Sequence, residues 1–387
     1  MKLPIDLKAV IEAATDIESA RSTPVSVSVL IDDSAPGDVA AHVRSAFVGA
    51  GAHARVTVGY FAGPAFSPYE GDDMAVIVAG FSEEVGRRAA EIRAAGVPVM
   101  VVTSMPRLVA GMASAYGNPI PEGDLVAPEG VEGCEAESDA SCKSGDVAGA
   151  RVNVFAGIRA AKSAGTGAAA GSAGAAASSP DVSDAPIPID AAAAAALDRR
   201  MGEWVVAACR EKRLALALSF PFVRRPLSLE AVSATSLQNA GIGLVLFIPG
   251  ADMPLMTLNQ AKMLLQIAAA YGEPMSVARV KELAAIVGGA FACRSVARQV
   301  AGAVPAIGWA VKAGVGYAGT KTMGLAAVEY FERGGNIAGL AGVVSTATAK
   351  ATQIAGDVAA TPAGARVLST VKTAVRQGAA SVLKKTE

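Results

Sequence analysis

This chain of 387 residues is poor in the side chains that carry chemistry. It has two histidines, His42 and His53, one on an expected helix and one in an expected turn. Neither stands beside a nucleophile motif, so no Ser/His/Asp set can be assembled, and both are assigned to surface or packing roles. The four cysteines, Cys134, Cys142, Cys209 and Cys293, lack CxxC spacing. Free thiols in a reducing compartment are expected. In "CEAESDASC" the pair Cys134 and Cys142 has no histidine and the wrong spacing for zinc, so a solvated acidic loop is expected there and no metal site. Aromatic residues make up 5% of the chain, and no basic patch is interleaved with them, which argues against nucleic acid. No catalytic residue, cofactor or small-molecule substrate is identified. Asp6, Lys8, Glu12 and Asp16 interrupt any apolar core near the start, so a secretory peptide is not expected.

What is abundant is small and apolar. Hydrophobic residues reach 52%, there are 41 glycines, and mean hydropathy is +0.40. Alanine and glycine on this scale suit closely packed helices. The charge is unevenly placed. Residues 1–150 hold 21 acidic and 10 basic side chains, net −11, and residues 151–387 hold 14 and 24, net +10. Two readings fit this asymmetry: a basic part facing anionic lipid or an acidic partner, or complementarity between the two halves.

Residues 1–150 read as alternating strands and helices. "VSVSVLI" (Val25–Ile31), "RVTVGYF" (Arg55–Phe61), a strand in "DDMAVIVAGF" and "VPVMVVTS" (Val97–Ser104) are separated by a helix over Val39–Gly49 and one capped by Ser82. This order implies a parallel α/β sheet. From Pro119 to Gly149 an irregular acidic loop is expected. Residues 151–197 are a low-complexity Ala/Gly/Ser linker, helical toward its end. Residues 198–335 are expected to form an all-α domain, followed by a basic helical tail, 336–387. In that domain "ALDRRMGEWVVAACREKRLALAL" reads as one amphipathic helix. Thr257 and Gln260 form a T-x-x-Q capping box. Gly272 ends that helix, with Pro274 behind it, and Ser276 caps the next.

Ala231 to Ala251 is free of charge, 21 residues, long enough for a bilayer core of ~30 Å. But Ser233, Thr235, Ser236, Gln238 and Asn239 fill its first half. A hairpin lying on or dipping into a membrane and a buried alanine-rich core both fit. Asp252, in an apolar stretch between Gly250 and Pro254, is the most unusual carboxylate, a structural cap or a functional charge. Arg210, Lys212, Arg213, Arg224 and Arg225 form a basic collar beside this segment, either near an anionic leaflet or on a solvated face, each residue contributing ~1 kcal/mol in the first case.

"GVGYAGTKT" (Gly314–Thr322) imitates a phosphate-binding loop, but Thr320 is one residue too many before Lys321. The stretch preceding it is helical rather than a strand. Ala310, Gly314, Ala318 and Thr322 recur at every fourth position, as do Gly316, Thr320 and Gly324. These small residues are expected to be the contact face of a helix.

Two resemblances follow. The strand order over residues 24–110 resembles Era-type small GTPases, with "DDMAVIVAG" and "VPVMVVTSMP" like their later strands. The phosphate loop is missing, and Thr103, Ser104, Met105 and Pro106 stand where the guanine-reading motif would be. The head would then be a degenerate GTPase. Residues 215–335 resemble a bacterial domain of unknown function found behind Era-like GTPase domains and in YcjF-like inner-membrane proteins. Pro249, Asp252, Pro254, Gln260, Met263, Tyr271–Gly272, Pro305, Gly308, Thr320, Gly324 and Tyr330–Phe331 carry that match. It implies a helical, membrane-linked module at the bacterial inner membrane or its cytoplasmic face, a protein partner or self-association, and no known reaction. The competing expectation is a nucleotide-binding, GTPase-related enzyme with a non-standard site.

Overall fold

A computed structural model describes residues 7–62, 71–128, 186–245, 252–276 and 308–336, with positions 278, 281, 339–340, 342–344 and 346. They fall in one compact unit, Met1–Pro128 with Pro186–Glu387; the second unit, Glu129–Ala185, lies outside the described residues. The Cys134/Cys142 segment, Pro249, Cys293, Pro305 and nearly all of the basic tail are likewise outside them, as is the helix expected after Ser276 apart from two positions.

Five strands form a fully parallel sheet: β1 (Val25–Ile31), β2 (Ala54–Tyr60), β3 (Met74–Val78), β4 (Val99–Val102) and β5 (Leu125–Val126), in the order β2-β1-β3-β4-β5. The two-residue β5 corrects the expectation of an irregular loop from Pro119. Leu125 and Val126 pair with Val101 and Val102 at the sheet edge, a contact that no local periodicity of two residues announces. Strands β3 and β4 are buried along their whole length, as their unbroken apolar runs require of a sheet covered on both faces.

Side chains alternate between two cores. Val27, Val29, Ile31, Met74, Val76, Val78, Met100 and Val102 face α2 (Gly37–Val48) and α5 (Ala191–Ala208). Leu30, Ala75, Ile77, Val99 and Val101 face α3 (Glu84–Ala94) and α4 (Pro106–Ala115). The first core continues without interruption into α6 (Arg213–Ser219) and α7 (Pro221–Val245) through Leu216, Phe220 and Val223. Phe47 meets the Phe220 and Phe222 rings at centroid distances of 5.0 and 5.3 Å. The helices expected to open a separate domain therefore share the core of the sheet.

The single helix expected over Ala196–Leu218 is broken at Cys209–Lys212. There the Lys212 Nζ reaches Asp73 at 2.7 Å and the Pro24 carbonyl at 3.1 Å, at the amino end of the sheet. Helix α7 runs through Pro226. A proline there cannot donate to the Phe222 carbonyl, and Gly202 of α5 packs against that carbonyl: a Cβ on Gly202 would lie 2.5 Å from it.

A second core joins α1 (Leu7–Arg21), α7, α8 (Asp252–Ala270) and α9 (Gly308–Glu332). Helix α8 starts five residues before the expected capping box, so Thr257 is an interior, buried residue. Pro254 is tolerated because first-turn N–H groups have no partner within the helix. Gly272, at φ +89°, ends α8 as expected, with Gly272 and Glu273 N–H donating to Ala269 and Ala268 carbonyls.

Candidate functional site

In a doubly wound sheet, ligands bind outside the carboxyl ends of the strands where the order reverses, here between β1 and β3. Asp32 stands at that point, 3% exposed. Its Oδ1 accepts from Ser34 N–H at 3.1 Å, and its Oδ2 from Ser34 Oγ at 2.9 Å, Gly80 N–H at 2.9 Å and Ser82 N–H at 3.2 Å. Four donors saturate the carboxylate, which leaves it little capacity for a ligand. The loops after β1 and β3 are pressed together: a Cβ on Gly80 would lie 2.3 Å from the Ser34 carbonyl. The helix α3 that follows has Glu83 at its N-cap position, and Ser82, expected to be the cap, lies one residue earlier with its Oγ accepting from Glu84 N–H at 3.2 Å.

The chain then covers the same end of the sheet from above. Ile187 N–H donates to the Ser104 carbonyl beyond β4 at 3.1 Å, and Ile189 N–H to Asp38 Oδ2 in the first turn of α2 at 3.1 Å. Ile189 packs against the core, and Asp190 caps α5 by accepting from Ala193 N–H at 2.7 Å. Residues 186–190 thus form a strap running from the end of β4 toward the end of β1. Thr103 and Ser104, buried at 0% and 1%, lie under it. Thr103 Oγ1 accepts from Met105 N–H at 3.1 Å, a local turn contact. Sequence reasoning missed this strap because it belongs to the stretch assigned to the linker; the only signal was the "IPID" that interrupts the alanine run.

The small residues of α9 meet different fates. Gly324 lies directly on Val232 of α7. Thr320 is fully buried and its Oγ1 accepts from Asn239 Nδ2 of α7 and Gln260 Nε2 of α8, both at 2.9 Å. Asn239 Nδ2 also reaches the Met256 carbonyl at 3.3 Å, and its Oδ1 accepts from Asn259 at 3.0 Å. Ala318 is half-buried, and Gly314 and Gly316 lie in the first turns of the same helix. Lys321 is exposed, its ammonium 5.7 Å from the Tyr317 ring centre, and it points to no phosphate-binding loop. Asn239 and the role of Gln260 were missed in sequence; their signal is the placing of amides within apolar runs.

The five basic residues do not gather into one patch. Lys212 pairs with Asp73, Arg213 with Glu230 at 2.6 Å and Arg225 with Glu332 at 2.5 Å, while Arg224 donates to the Ala217 carbonyl at 3.2 Å. Arg210 is exposed and in no ion pair among the described residues. Asp252 is the first residue of α8; its side chain is outside those described. His42 bridges α2 to Asp198 of α5 at 2.8 Å, and His53 accepts from Val25 N–H through its carbonyl at 3.0 Å. The Cys209 thiol is buried against the Asp73 carbonyl, and burial, with Asp73 nearby, pushes its pKa up to about 12. Among the described residues no helix is long and apolar enough to cross a membrane. No family model, curated protein or solved structure matches this chain.

Proposed function

We propose that the protein is a non-catalytic interaction module: a GTPase-like head without nucleotide motifs, joined to helices that associate with the cytoplasmic face of a bacterial inner membrane and with a protein partner there. The observation that carries the non-catalytic part is the filled strand end. Asp32 is saturated by its own loops, Gly80 abuts Ser34, and the 186–190 strap lies across the position a ligand would take.

The membrane part is supported by large apolar side chains left exposed on three helices, beside a small buried polar cluster. Ser236, Asn239, Gln260 and Thr320 are buried at 0–1%, while Leu237 of α7 is 66% exposed, Leu255 of α8 47% and Leu325 of α9 41%. Most buried side chains of these helices are apolar, and the three exposed leucines are the surface that an apolar surround would meet. With three of the basic residues held in ion pairs, these leucines rather than the collar would make the contact.

Two measurements test the reading. Equilibrium dialysis of the full chain against GTP and ATP should show no micromolar binding; such binding would overturn the non-catalytic part. In flotation with vesicles of anionic phospholipid the chain should rise with the lipid, and the triple variant Leu237→Ser, Leu255→Ser, Leu325→Ser should stay behind. A wild-type chain that remains at the bottom removes the membrane part.

A further inference from the structure

A groove of about 410 Å³ opens among α1, α6, α7 and α8, within the 300–1,000 Å³ range of small-molecule sites. Its apolar lining includes Ile17, Leu214, Leu227 and Met263. Its charged lining is Asp16, Arg213, Glu230 and Lys262, two of each sign. Arg213 and Glu230 are spent on each other at 2.6 Å. Lys262 is half-buried and Asp16 exposed, and neither is in an ion pair or side-chain hydrogen bond among the described residues. Partly removing an ammonium from water without a partner is unfavourable, and a bound anion would offset that cost. Gln238, Asn259 and Gln266 add amides to the same lining. Asn259 already donates to Asn239, so its position is fixed by the buried network behind it.

We infer that this groove binds a small aliphatic zwitterion, an amino-acid-like molecule. Its carboxylate is met by Lys262, its ammonium by Asp16, and its aliphatic part lies on Leu214, Leu227 and Met263. The balanced lining decides the class. A nucleotide or other polyanion would find one free cation against one free carboxylate, and a purely apolar ligand would leave both charges unmatched. The site is independent of the strand ends, so it stands or falls apart from the proposal that the head is non-catalytic.

Calorimetric titration of the full chain with L-leucine tests it, with 4-methylpentanoate and 3-methylbutylamine as analogues bearing one charge each. Leucine should bind saturably in the micromolar-to-millimolar range, and each analogue about tenfold more weakly or worse, the equivalent of ~1.4 kcal/mol. Lys262→Met should weaken leucine without altering the weak binding of the amine, and Asp16→Asn should spare the acid in the same way. Asp16 is exposed and Lys262 half-buried, and an unchanged melting temperature would show that the variants fold. Absence of saturable leucine binding at 10-millimolar order, or analogues that bind as well as leucine, would overturn the assignment.

Discussion

Gly324 of α9 lies against Val232 of α7 so closely that a Cβ on the glycine would fall 2.4 Å from Val232 Cγ2 and 2.8 Å from Cγ1. An interior glycine costs its helix ~1 kcal/mol relative to alanine, and this contact is what that loss permits. Gly324→Ala should therefore destabilise the chain by about 1–2 kcal/mol, the overpacking cost exceeding the gain in propensity. Val232 is β-branched and stiff, so it cannot swing aside. Denaturant unfolding checks this. The double variant with Val232→Ala should recover part of the loss, and a single variant more stable than wild type would disprove the packing argument.

Thr320 holds α9 to two neighbours through one oxygen. Thr320→Val keeps the shape and removes the acceptor, leaving a buried donor on each of Asn239 and Gln260 without it. At ~1–3 kcal/mol for each unsatisfied group, a loss of about 2–4 kcal/mol is expected. Thr320→Ser, which restores the hydroxyl, should return most of it in the same unfolding experiment. Equal damage from both variants would place the effect in the methyl group's packing instead.

Asp32→Ala would leave Gly80, Ser82 and Ser34 N–H groups without their acceptor at the strand ends. A loss of roughly 3 kcal/mol is expected. Amide exchange should quicken first at Gly80 and Ser82. If these amides keep their protection, the network described at the end of β1 is wrong.

The Cys209 thiol, raised from an ordinary 9.0 to about 12, holds its proton in the folded chain where the unfolded chain would already lose it. The neutral form is the one the fold favours. This contribution to stability is complete below pH 9 and declines as pH rises from 9 toward 12. At pH 8, peptide-resolved alkylation with iodoacetamide should label Cys209 far more slowly in folded than in denatured protein. Comparable rates would contradict its burial.

Much of the sheet was legible because local pattern and tertiary environment agree there. Continuous apolar runs such as Met74–Val78 make sense only between two helical layers, and the structure places them so. Of the small residues expected to form a contact face on α9, Thr320 and Gly324 are seen packed against α7 and α8. Gly272 ended its helix as its residue type requires, by taking positive φ. The capping box at Thr257 failed because Asp252 begins the helix earlier and local cap chemistry does not say which of two starts is used.

The sequence by itself determined the alternation of strands and helices in the first third of the chain, a property of spacing and residue type along it. Only the tertiary structure decided the rest. It brought Lys212 to Asp73, Arg213 to Glu230 and Arg225 to Glu332, which took three charges out of an apparent collar. It carried Ile187 and Ile189 back over the strand ends and gathered Asn239, Gln260 and Thr320 from three helices. Those contacts join residues from 17 to 151 positions apart, and their free energy comes from burial and pairing that exist only once the helices have packed.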